Sequence, residues 1–124
     1  MKRTPALVTL TICSFVAYQV GSVAQDQFTK LSGTEIRAKF TGMEFTDEVH
    51  WDETYGENGT LIGEEMGKRR VGTWRVENDK LCTDYGKIVG RSCYEVWMSG
   101  KSVQLRIQDS PAPPLEGFLE KPRR

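Results

Sequence analysis

Gly72-Thr73-Trp74-Arg75-Val76-Glu77-Asn78-Asp79-Lys80-Leu81-Cys82-Thr83-Asp84-Tyr85 alternates apolar and polar residues on both sides of an Asn-Asp pair. Asn and Asp tolerate the positive φ that a two-residue hairpin turn needs, so the stretch predicts two antiparallel strands. With Asn78-Asp79 as the turn, Val76 faces Leu81, Trp74 faces Thr83 and Gly72 faces Tyr85, while Glu77 pairs with Lys80. One face of this hairpin is apolar and the other polar.

The same treatment extends toward the C-terminus. A Ser99-Gly100 turn sets Val96 against Val103, Tyr94 against Leu105 and Ser92 against Ile107. Placing Cys82 opposite Cys93 as a disulfide sets Leu81 beside Tyr94 and Asp84 beside Arg91. A one-residue slip would invert every side chain, so agreement among three registers is a demanding test. All three put Trp74, Val76, Leu81, Tyr85, Tyr94, Val96, Val103, Leu105 and Ile107 on one interior wall, with the disulfide, Arg75, Arg106 and Trp97 opposite.

Toward the N-terminus, an Asn58-Gly59 turn pairs Tyr55 with Ile62, Glu53 with Glu64 and Trp51 with Met66, adding Val49, Trp51, Tyr55, Ile62 and Met66 to the interior. Before these strands, Ser32 with Glu35 three residues on forms a capping box, and Leu31 with Ile36 a hydrophobic staple. One short helix over Gly33 to Thr41 follows. Met43 to Thr46 offers an early strand. After the stiff Pro111-Ala112-Pro113-Pro114 loop, Leu115 to Glu120 offers a last strand able to close the sheet. Seven or eight short half-apolar strands curl up to remove their edges, so the expected fold is mainly β: a small antiparallel up-and-down β-barrel closed at one end by the helix.

The segment Gly72 to Cys82, followed by Cys93-Tyr94 and preceded by Tyr55 and Gly59-Thr60-Leu61, resembles small exported bacterial β-proteins of uncharacterised function. That resemblance covers nearly the whole of residues 25–124 and implies a lipocalin-like barrel in the periplasm. Its motifs are turn and core signals, and it carries over no active site.

Residues 1–24 have the pattern of a cleavable export signal: cationic Met1-Lys2-Arg3, a mostly apolar Ala6 to Val20, and a small-x-small Ser22-Val23-Ala24. Cys13 follows Ile12 rather than a small residue, which argues against a lipid anchor. The expected organisation is a signal peptide over 1–24 and a single β-barrel domain over 25–124, periplasmic or secreted, with no membrane span after processing. Loss of Lys2 and Arg3 leaves 15 basic against 17 acidic residues, a net charge of −2 that disfavours nucleic acid. An even cysteine pair in an exported chain points to a disulfide.

Chemistry is sparse. The single histidine, His50, is expected as a solvated side chain on the polar strand face, so no Ser-His-Asp or Cys-His arrangement is expected. Asp47, His50 and Asp52 do not share one strand face, which weakens a metal site. No cofactor, metal or catalytic residue is expected. The primary expectation is a non-enzymatic binding barrel lined by Trp51, Tyr55, Trp74 and Tyr94, taking a small amphipathic ligand near Glu53 and Glu64, unless its own aromatics fill so small an interior. The alternative is a protein-binding inhibitor of an envelope or host hydrolase. It would act through the acidic hairpin at Glu57-Asn58-Gly59, a basic Lys68-Arg69-Arg70 loop and an outward Trp97.

Overall fold

In the computed structural model of the protein, which describes residues 2–7, 12, 14 and 27–123, the Asn78-Asp79 turn is as expected. Both residues are left-handed, at φ 49° and 57°. The flanking strands β5 (Lys68–Glu77) and β6 (Lys80–Asp84) then pair Val76 with Leu81 and Trp74 with Thr83. β7 (Arg91–Ser99) continues the meander with Cys82 opposite Cys93, and the two sulfurs are bonded. The export-signal reading of residues 1–24 falls mostly outside the described residues. Among the described residues no helix is long and apolar enough to cross a membrane.

Two other turns differ from expectation. Between β7 and β8 (Ser102–Arg106) the turn residues are Gly100-Lys101, with Gly100 at φ 58°, so Val96 opposes Leu105 and Met98 opposes Val103. A glycine at the first central position accommodates the tight turn, and Ser99 stays in the strand. The displacement is two residues. An even shift preserves the faces, so Val96, Val103 and Leu105 still point inward, whereas Ile107 lies beyond the strand and is 53 % exposed.

Between β3 (Trp51–Tyr55) and β4 (Thr60–Glu65) the shift is one residue, and its consequences are larger. Gly59 N–H donates to Gly56 O and Gly56 N–H to Thr60 O, with Gly59 at φ 84°. This is a three-residue loop with a left-handed glycine at its end, not a two-residue turn. Tyr55 therefore opposes Leu61, Glu53 opposes Gly63 and Asp52 opposes Glu64. Tyr55 and Leu61 are fully buried, while Met66 and Val49 are exposed; Ile62 and Glu64 lie on the outer side. The expected Glu53–Glu64 pair does not exist.

β9 (Leu115–Glu120) pairs with both β8 and β2 (Glu44–Thr46), and β7 with β8, so β2 through β9 form a closed eight-stranded antiparallel barrel in up-and-down order. A two-residue strand, β1 (Thr29–Lys30), adds to β7 at Trp97 and Met98, on the edge that β6 leaves free. Lys30 reaches Glu95 at 2.7 Å.

The helix α1 (Gly33–Phe40) starts at the foreseen capping box, with Glu35 N–H donating to Ser32 Oγ and Ser32 N–H to Glu35 Oε1. Its Ile36 and Phe40 are fully buried, and Gly33 N–H donates to Asp79 Oδ1 at 2.6 Å, pinning the helix over the β5–β6 turn. Edge-to-face contacts run from Phe40 to Tyr55 (5.1 Å) and from Tyr55 to Trp74 (5.4 Å), whose indole N–H donates to Gly56 O. This end of the barrel is thereby packed with aromatic rings.

Candidate functional site at the barrel mouth

At the end away from the helix, Trp51 and Glu53 of β3 point inward, joined by Glu65 at the end of β4, Arg70 near the start of β5, Tyr85 just after β6 and Leu115 at the start of β9. Together they line a cavity of about 240 Å³. Its floor is a hydrogen bond from the Tyr85 hydroxyl to Glu53 Oε2, at 2.5 Å.

Two glycines make that bond possible. Tyr85 has to cross β5 and β4 to reach β3, and it does so over Gly72 and Gly63. A Cβ on Gly72 would lie 2.9 Å from the Tyr85 ring, and one on Gly63 would lie 2.6 Å from its hydroxyl. Glycine within a strand marks just such a close approach.

Burial pushes the Glu53 carboxyl above its usual 4.5, offset in part by the Tyr85 hydroxyl, while Asp52 and Glu65 push it further up. Burial, then the Glu53 charge, pushes the Tyr85 phenol far up. Tyr55, two residues along the same face, is fully buried, and its hydroxyl has no hydrogen-bond partner. Burial first, then Glu53, Tyr85 and Tyr94, raise its phenol well above the ordinary value.

These shifts set a pH dependence. Because the folded state holds the Glu53 proton more tightly than the unfolded chain does, this group's stabilising contribution is complete below pH 4.5. It is lost as pH rises through the higher folded value. Glu53→Gln, which keeps an acceptor for Tyr85, should therefore match the parent near pH 4 and melt higher at pH 7. Thermal melts across that range check it; a variant that is less stable at pH 7 than at pH 4, relative to the parent, would contradict it.

The other expected site residues separate. Tyr55 and Trp74 belong to the filled core and do not line the mouth, and Tyr94 packs against that core. Glu64 sits on the outer face, opposite Asp52 on one strand and Arg69 on the next. Lys68, Arg69 and Arg70 are not a loop: they open β5, where Lys68 opposes Glu65 and Arg70 lies 3.8 Å from that same carboxylate. The chain turns one step earlier, at Met66-Gly67, both left-handed.

Glu57 lies in the β3–β4 loop at the helix end, so it and the basic cluster occupy opposite ends of the barrel. Trp97 is on the outer wall as expected, covered by the Arg106 guanidinium 4.1 Å from its ring.

Asp47 is saturated rather than free for a metal. Its Oδ1 accepts from the backbone N–H groups of Val49, His50 and Trp51, and its Oδ2 contacts His50 Nδ1 at 2.8 Å. Although burial opposes it, these bonds hold the Asp47 carboxyl well below the usual range. Asp52, Glu64 and His50 instead border an outer trough of about 500 Å³ shared with Glu44, Arg69 and Arg123. That trough is larger than the mouth, but its walls are outward strand faces carrying both signs of charge. The mouth, by contrast, combines the aromatic surfaces of Trp51 and Tyr85 with the inward carboxylate of Glu53. Tyr85 and Leu115 escaped the sequence reading as site residues, and Arg70 entered it only as part of a partner-binding loop; the strand glycines Gly63 and Gly72 were the available signal.

No protein-family model matches the chain, and comparison with curated proteins and with solved structures finds no similar protein.

Proposed function

We propose that this is a non-enzymatic binding protein working in the periplasm or outside the cell, which holds a small amphipathic ligand at the open mouth of its barrel. The observation that carries this reading is the cavity over the Glu53–Tyr85 bond. It joins an apolar ring, Trp51, to a few convergent polar groups, the usual composition of a small-molecule site. The Cys82–Cys93 bond and the leader-like residues 1–24 support export.

Native mass spectrometry of the protein purified from the periplasm tests this. The expected result is a small mass added to the monomer, lost on Trp51→Ala. A monomer carrying nothing, or carrying only another protein, counts against it.

A second reading, an inhibitor of an envelope or host hydrolase, draws on a different observation. Exposed apolar residues gather on the loops at the mouth end: Val49 after β2, Met66 after β4, Ile88 and Val89 after β6, and Ile107 after β8. A bound protein in the same spectrum would favour this reading.

A further inference from the structure

Resting on the mouth as the binding site, we infer that its ligand carries a protonated amine on a small apolar body, with the amine directed at Glu53. Three features favour that class over a neutral or anionic one. The charged groups facing into the cavity are Glu53 and Glu65 against a single cation, Arg70, which is already beside Glu65; Asp52 and Glu64 border it from the outer face, where Arg69 lies opposite Glu64. Such a cleft concentrates cations.

The second feature is the supply of acceptors. The Tyr85 hydroxyl donates to only one Glu53 oxygen, leaving the other free to accept from a ligand. An ammonium brings three donors and no acceptor, the complement of a free carboxylate oxygen. The third is the wall. Trp51 and Tyr85 present aromatic surface to the cavity, which attracts an organic cation through the ring quadrupole.

A metal ion fits these residues less well. Among the described residues the one trio of His, Cys, Asp or Glu with converging ligand atoms is Glu77 with the mutually bonded Cys82 and Cys93, on the outer wall. The mouth carboxylates do not converge in that way, so the cation they suit is one with its own apolar body.

Calorimetric titration of the periplasmic protein with 2-phenylethylammonium, 2-phenylethanol and phenylacetate at pH 7 separates the possibilities, since all three share one ring and differ in head-group charge. The ammonium should bind at least about tenfold more tightly than the alcohol, with phenylacetate weakest. Glu53→Gln should reduce the ammonium to the alcohol's affinity and leave the alcohol unchanged. Should that variant not fold, Glu65→Gln, at an exposed side chain, should weaken the ammonium alone, by about threefold. Equal or tighter binding of the alcohol or of phenylacetate overturns the amine assignment while leaving the mouth as a site. Failure of all three at millimolar concentration removes the mouth itself.

Discussion

Gly72→Ala should lower the melting temperature more than any other single methyl added to this barrel. The new Cβ would fall 2.2 Å from the Asp84 carbonyl oxygen and 2.9 Å from the Tyr85 ring. The first of these is backbone, held by the Thr73–Asp84 pairing of β5 with β6, and cannot swing away as a side chain would. Overpacking of this kind costs about 1–3 kcal/mol, and the fixed carbonyl puts Gly72 at or beyond the upper end. For a domain of this size that is a fall of roughly 12–24 °C.

Gly63→Ala should cost less, because its Cβ meets only the hydroxyl end of Tyr85. Both substitutions should separate Tyr85 from Glu53, visible as a change in the near-ultraviolet tyrosine signal. A Gly72→Ala protein with the parental melting point would mean that β6 ends freely at Asp84 and that Tyr85 is not held against the wall.

Joint replacement of Cys82 and Cys93 by alanine should have the next largest effect. The bond closes a loop with a sequence separation of 11, worth about 3 kcal/mol in the chain-entropy account. Within that loop lie Tyr85 and the segment from Gly86 to Gly90, both glycines left-handed. Loss of the cross-link therefore frees, in the unfolded chain, the stretch that must be ordered to place Tyr85 over the mouth. Chemical denaturation of the double variant, compared with the parent under oxidising conditions, should show the lowered midpoint. Addition of a reductant should lower the parent to the same value and leave the variant unmoved. A parent indifferent to full reduction would contradict this.

How much of the barrel was legible varied by hairpin, for identifiable reasons. β5 to β7 were legible because Asn78-Asp79 fits one turn type and because a disulfide fixes the neighbouring register outright. The β7–β8 hairpin tolerated a misplaced turn, since a two-residue displacement returns the same side chains to the same face. β3–β4 did not. Asn58-Gly59 serves equally as a two-residue turn or as the end of a three-residue loop, and the adjacent apolar pair Leu61-Ile62 satisfies either register. Alternation alone therefore could not say which of the two faces inward, and Glu64 went with the wrong answer.

The site was half visible. Trp51 and Glu53 follow from strand parity, but Tyr85 meets Glu53 across two intervening strands, a contact that no pairwise alignment of neighbours reveals. Nor did the sequence suggest β1, whose two residues pair only because β6 stops short of the end of β7.

The order of strands around the barrel has a bearing on the life of the chain before it is folded. Each strand from β2 to β8 finds its next neighbour a short hairpin away, but the seam joins Glu44–Thr46 to Leu115–Glu120, near opposite ends of the polypeptide. A chain synthesised N-terminus first presents β2 long before its second partner exists, and exposed strand edges invite pairing with other chains. Up to the moment Leu119 arrives to pair with Phe45, the nascent protein has two raw edges to protect. Any holding factor on its route would be needed most in that interval.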